Sequence, residues 1–153
     1  MAAEQEIDTQ LEWVKANRAM IQGDCLKSCV ALYKKHAPLL SNINLKLAIL
    51  AGNIVELSFG TNPRSPYAAE YADKITPAYK RILPVGGFEL SIALHTAALG
   101  AAPKNPPTRE VFKMVQEARD AFVLALGPVH PIVEASNREV EMYEMRLLME
   151  EMR

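Results

Sequence analysis

The sequence predicts an all-α protein. Apolar residues recur at three- and four-residue intervals almost throughout, and glycine and proline cut that pattern into about seven pieces. No run alternates apolar and polar residues for long enough to make a strand. Helices joined by short turns pack antiparallel, so the expected architecture is a stack of about seven helices arranged as helix hairpins. At 153 residues the chain is expected to be one domain, residues 1–153.

Ile7, Leu11 and Val14, with Ile21 one period on, mark a first helix that is expected to stop at Gly23. Asp24 is the expected cap of a second helix carrying Cys25, Cys29 and Leu32 on one stripe, with Leu26, Val30 and Tyr33 beside it. That helix ends before Pro38, because the residue preceding a proline disfavours helical geometry. Ser41 is placed to cap the third and most apolar helix, where Ile43, Leu47, Leu50, Ile54 and Leu57 define the core face. Residues 59–64 then read as a loop.

Ser65-Pro66 is a cap followed by proline at the first helical position. It starts a fourth helix with Tyr67, Tyr71, Ile75, Ala78 and Ile82 on its stripe. Pro77 falls inside that stripe, so the helix is expected to break near Thr76. After Pro84 and Gly86-Gly87, a fifth helix runs Phe88, Ile92, His95 and Leu99 down one apolar face, where His95 is expected to bond a backbone carbonyl in the core. Pro103, Pro106 and Pro107 make the next segment a loop, and Asn105 or Thr108 starts a sixth helix with Val111, Val115, Ala118, Phe122 and Ala125 inward. Gly127 ends it, His130 is expected to cap that end, and Pro131 opens a last helix with Val133, Val140, Leu147 and Leu148 as apolar points.

With 17 Lys and Arg against 18 Asp and Glu the formal charge is −1, which gives no field for nucleic acid or an acidic membrane surface. No stretch approaches the ~18 apolar residues of a membrane span, and the acidic start Glu4-Gln5-Glu6 has no features of a secretory signal. Two cysteines make no disulfide framework, which points to a reducing compartment, cytoplasmic or nuclear. Charge is uneven: residues 1–22 carry two bases and four acids, residues 23–133 twelve and eight, residues 134–153 three and six. Acidic end helices packing on a mildly basic body fit that pattern.

Chemistry is hard to find. Cys25 and Cys29, at i and i+4 on an amphipathic helix, read as small buried hydrophobes, and His36 alone does not complete a zinc set with them. Gly86-Gly87 lacks the lysine and the preceding strand of a phosphate loop. No catalytic residue, metal or cofactor is therefore expected. Binding is better served: Asn42, Lys46, Asn53 and Glu56 form a polar stripe opposite the apolar one on the third helix. Asn amides bond peptide groups and Lys pairs with carboxylates, so Asn42, Lys46 and Asn53 are the candidate peptide-binding residues. Met142, Met145, Met149 and Met152 give the last helix a soft surface suited to packing on the sixth helix or to protein contacts.

The run Val111 to Val133, with Val111, Val115 and Ala118 at packing positions and a Leu-Gly-Pro-Val-His-Pro exit, resembles the second helix of a tetratricopeptide-type repeat. Over nearly its whole length the chain also resembles the C-terminal helical domain of the SET and MYND domain (SMYD) lysine methyltransferases. The resemblance rests on Leu26-Lys27-Ser28-Cys29 in a short helix, a long apolar helix beginning Asn42-Ile43-Asn44, and the tyrosine-rich Tyr67 to Leu83. The Gly127 to Pro131 turn and the methionine-containing helix Glu139 to Arg153 complete it. It is closest over Leu126 to Glu134 and at Met145-Arg146. The proline-rich loop Ala101 to Pro107 is longer than the family's usual short turn.

That resemblance implies a non-catalytic interaction or regulatory module that bounds the substrate cleft of a SET/MYND catalytic half in cis. The motifs for S-adenosylmethionine and the zinc-holding cysteines of that half have no counterpart in this chain. It further implies a peptide partner, the acidic C-terminal tail of the heat-shock-ninety chaperone, with Asn42, Lys46 and Asn53 as its contacts. The alternative is an independent tetratricopeptide-like scaffold or adaptor with no methyltransferase parent.

Overall fold

The chain begins with α1 (Ala2–Asn17), which buries Ile7, Leu11 and Val14 at helical spacing, and α2 (Gln22–His36), which buries Cys25, Cys29 and Leu32. The computed structural model describes residues 2–17, 22–61 and 65–153. Next come α3 (Leu45–Thr61), α4 (Pro66–Ala72) and α5 (Thr76–Ile82), then α6 (Phe88–Ala101), α7 (Arg109–Leu126) and α8 (Pro131–Glu151). The protein is all-α, with no strand among the described residues. No helix is long and apolar enough to cross a membrane among them.

Central to the packing is α3, which touches α1, α2, α4, α5 and α6. Leu50 and Ile54 are wholly buried on it, and each such side chain contributes roughly 1.5–3 kcal/mol of transfer free energy. Its one buried hydroxyl, Ser58 Oγ, donates to Ile54 O at 2.6 Å, so burial leaves no orphaned group there. One core joins α1, α2 and α3 to Tyr71, Ile75 and Ala97, and a second joins α6, α7 and α8 through Leu90, Leu94, Val115 and Tyr143. Tyr79 and Met114 pack against both.

Local chemistry sets most boundaries. Ser65 Oγ accepts from Tyr67 N with Pro66 behind it, and Thr108 Oγ1 accepts from Val111 N at 3.3 Å to start α7. Pro77 splits the predicted fourth helix into α4 and α5, as expected of a residue with no amide to donate. Gly127 closes α7 with φ of 83°, a conformation that suits glycine because it lacks a Cβ. A different glycine lets helices touch: a Cβ on Gly100 would lie 2.8 Å from Ala68 O and 2.9 Å from Val55 Cγ1, so α6 comes close to the backbone of α4 and to the Val55 side chain of α3.

Several expectations are corrected. Gly23 and Asp24 lie inside the first turn of α2 instead of flanking it. The cap of α3 is Asn44, whose Oδ1 accepts from Lys46 N and Leu47 N; Ser41 Oγ accepts from Ile43 N, closing the turn before the helix. The helix also runs on through Phe59, Gly60 and Thr61, which had read as loop. Ile21 and Asn62 to Arg64 lie outside the described residues. His130 caps the helix that follows it, its Nδ1 accepting from Ile132 N at 3.2 Å. Phe88, Ile92 and Leu99 are not the buried face of α6: they are 44%, 44% and 38% exposed, and the small residues Ala93, Ala97 and Ala101 go inward with Leu90 and Leu94. On α8, Leu148 is exposed and Tyr143 takes a core place.

Candidate functional site

The residues singled out on the third helix do not converge. Asn42 sits in the exposed turn before α3, because the helix starts at Leu45. The Lys46 ammonium is held by the Asp8 carboxylate of α1. Asn53 lies further along α3, its Nδ2 donating to Ile49 O at 3.0 Å. The acidic face of α1 is used up in the same way: Asn44 Nδ2 donates to Glu4 Oε1 at 2.8 Å, and Glu6 takes both Lys35 Nζ and His36 Nε2 at 2.8 Å. Lys35 first and His36 second hold the Glu6 carboxyl below its ordinary range. The acid of this end helix therefore docks α1 on α2 and α3.

Asn53 does line a cleft, of about 360 Å³ and open to solvent, between α3, α5 and α6. Leu45 and Ile49 of α3, Ile75 and Leu83 beside α5, and Ile92 of α6 make its apolar wall. Gly52 of α3 adds bare backbone, with nothing within 4 Å of the position a Cβ would take. The polar groups are Asn53 and Glu56 from α3, Tyr79 from α5, and Glu89 and Thr96 from α6. Tyr79's phenol is held above its ordinary value, by burial first and then by the Glu89 and Glu56 carboxylates, so these two acids act on the same hydroxyl from opposite helices.

A second, smaller cleft of about 160 Å³ lies between α6 and α8, walled by Leu99, Ala102, Met142 and Tyr143. The exposed edge of α6 separates the two. Positions 88, 92, 95 and 99 fall on one edge of a helix; the first cleft uses 89, 92, 93 and 96, and the second uses 98, 99 and 102 on the other side of that edge. Between them His95 Nε2 meets Glu139 Oε2 at 2.9 Å, with its ring edge-on to Phe122 at 5.4 Å. The expected backbone carbonyl is thus replaced by a carboxylate from α8. Arg146 closes the far end, donating to Ala102 O at 3.0 Å and lying 5.3 Å over the Tyr143 ring.

The arrangement suits binding. Cys25 and Cys29 are wholly buried, and burial pushes the Cys29 thiol up to about 11, away from the thiolate that nucleophilic or metal chemistry needs. Among the described residues no group of three or more His, Cys, Asp or Glu side chains is placed to hold a metal ion. Of the sequence candidates, the cleft contains Asn53 together with Glu56; Gly52, Tyr79, Glu89 and Thr96 were missed. Gly52 alone carried a signal, as an isolated glycine inside an otherwise unbroken apolar helix. No protein-family model and no curated protein matches the chain.

Proposed function

We propose that this chain is a non-catalytic protein-interaction module that binds an extended peptide segment along the α6 edge, with the α3–α5–α6 cleft as its principal pocket. The observation that carries the reading is the exposed apolar edge Phe88, Ile92 and Leu99 with a walled cleft on each side. Large apolar side chains held at a surface beside concave, polar-rimmed space are what an extended ligand uses. The helix order and its Gly127 to Pro131 turn support a relation to the C-terminal domain of a SET and MYND methyltransferase. In that setting the S-adenosylmethionine chemistry belongs to a catalytic half in cis, and this module shapes access to it. Two buried free thiols accord with a reducing, cytoplasmic or nuclear setting.

Blocking the cleft tests the reading. Gly52→Phe projects a ring into the open space without a clash at Cβ, so the fold is kept and peptide binding is lost. The acidic chaperone tail is tested by calorimetric titration with a peptide ending Glu-Glu-Val-Asp. Because Lys46 already pairs with Asp8, that tail has to displace a carboxylate to reach it. Binding that strengthens in Asp8→Asn and disappears in Lys46→Ala would establish that partner. Absence of binding in all three proteins would remove it and leave the scaffold or cleft-wall role.

A further inference from the structure

The methionines of α8 fall in a pattern that peptide binding along α6 does not use. Met142, Met145, Met149 and Met152 are spaced three, four and three residues apart, which keeps them on one side of a helix and is the spacing of a coiled-coil seam. Val140, Tyr143 and Leu147 repeat that spacing on the opposite side and are buried against the body of the protein. The four methionines and Leu148 are each more than half exposed. The charges beside this apolar stripe differ on its two flanks: Glu141 lies with Leu148 on one, and Arg146 with Arg153 on the other. Glu141 has no hydrogen-bond or ion-pair partner among the described residues. Arg146 spends one N–H on Ala102 O, and a guanidinium has five. Arg138 and Glu134, paired at 2.6 Å, end the stripe on its N-terminal side with charge.

We propose that a second copy of this chain covers the stripe, its α8 lying parallel to the first and in register from Glu141 to Arg153. A two-fold axis along the seam sets Glu141 of each copy opposite Arg146 of the other, because residues five apart on opposite flanks are the ones that meet across a parallel pair. Leu148 meets the aliphatic stem of Arg153 in the same way. An antiparallel pair would set like flanks together, arginines against arginines, at a cost in charge repulsion. This self-complementarity selects a copy as the partner: an isologous contact needs one surface that carries both halves of the pairing. Each body lies behind its own α8, so the two stand on opposite sides of the seam, and flexible thioethers adapt to one another within it. Thirteen residues of helix make a seam about 20 Å long. Such a contact belongs with weak interfaces of under ~1,200 Å², so the pair forms near about 100 µM and the chain is a monomer at a few micromolar. No residue of α8 lines the α3–α5–α6 cleft, so the pairing is independent of peptide binding there.

Sedimentation equilibrium of the full chain from about 5 to 500 µM tests this, with the average mass expected to rise from that of one chain towards that of two. Met145→Glu sets two carboxylates face to face in the seam and should abolish the rise, while Glu141→Lys should weaken association about fivefold. Melting temperatures at about 5 µM, where the chain is a monomer, confirm that each variant is folded. Orientation is read by oxidising Met145→Cys and Met152→Cys with copper phenanthroline at about 200 µM. Both positions meet their own counterparts only in a parallel, in-register pair, since an antiparallel pair opposes at most one position to itself. Both variants should therefore give a disulfide-linked dimer, and Glu144→Cys, well off the stripe, should not; the native Cys25 and Cys29 are buried. A monomer at every concentration would overturn the proposal. So would association that survives Met145→Glu, which places the contact on another surface, or cross-linking at only one of the two positions or equally at Glu144→Cys.

Discussion

Two glycines inside helices make opposite predictions for the same substitution. Alanine replacing glycine in a helix interior gains about 0.8–1 kcal/mol of helix propensity, since the unfolded glycine has more conformational freedom to lose. At Gly52 nothing opposes that gain, because the new Cβ meets nothing within 4 Å. Gly52→Ala should therefore raise the melting temperature by roughly 2–4 °C for a domain of this size. At Gly100 the new methyl would lie 2.8 Å from Ala68 O, 2.9 Å from Val55 Cγ1 and 3.1 Å from Ala72 Cβ. The oxygen belongs to the backbone of α4 and cannot rotate aside, so α6 must move bodily, and the cost falls near the upper end of the ~1–3 kcal/mol range for overpacking. Net of the propensity gain, Gly100→Ala loses about 2 kcal/mol, or roughly 4–8 °C. Thermal unfolding followed by far-UV circular dichroism reads both. A Gly100→Ala protein as stable as the parent would refute the close α6–α4 contact, and a destabilised Gly52→Ala would refute the open cleft.

Thr108→Ala should cost about 1 kcal/mol by removing the acceptor for Val111 N, and Thr108→Ser should restore most of it; urea midpoints measure both. The docking of α1 depends on pH through Glu6, whose folded carboxyl is depressed chiefly by Lys35. A depressed acid contributes stability above its unfolded pKa and loses it as pH falls through the folded value, so acid should loosen α1. Glu6→Gln should flatten that acid limb in stability measured against pH, and an unchanged limb would assign the docking to Ile7, Leu11 and Val14 alone. On α8, Met145 and Met149 are 61% and 64% exposed and face away from α7, so Met145→Glu and Met149→Glu should each alter stability by less than about 0.5 kcal/mol. Losses of several kcal/mol would mean that the methionines pack inward.

What the sequence makes legible is local. Ser65-Pro66, Thr108, Gly127 and Pro131 act within one turn of themselves, and each marks its boundary correctly. The cap of α3 was harder, because Ser41 and Asn44 both have capping side chains; Asn44 bonds Lys46 N and Leu47 N and is also tied to Glu4, forty positions away. Long-range partners account for the candidate site as well. Lys46 looks like an available cation on its own helix and is spent on Asp8 of another. His95 looks like a core histidine until α8 brings Glu139 to it. Nothing in helical spacing encodes either pairing, whereas the acids and bases concerned are visible individually.

The position of the cleft follows from how α6 is built. Its sequence FELSIALHTAALGA is apolar on almost every side, so periodicity cannot choose the buried face, and the larger residues Phe88, Ile92 and Leu99 seemed the better core. Contact distance decides otherwise. With Gly100 in van der Waals contact with α4 and α3, the inward face has room for Ala93, Ala97 and Ala101, with Leu90 and Leu94 directed to the second core. The bulky residues are then left on the outer edge, flanking the gap that Gly52 leaves unfilled on α3. The same close packing that stabilises the centre of the stack thus leaves apolar surface at its edge, and a ligand that covers Ile92 and fills the space over Gly52 recovers burial that folding alone does not.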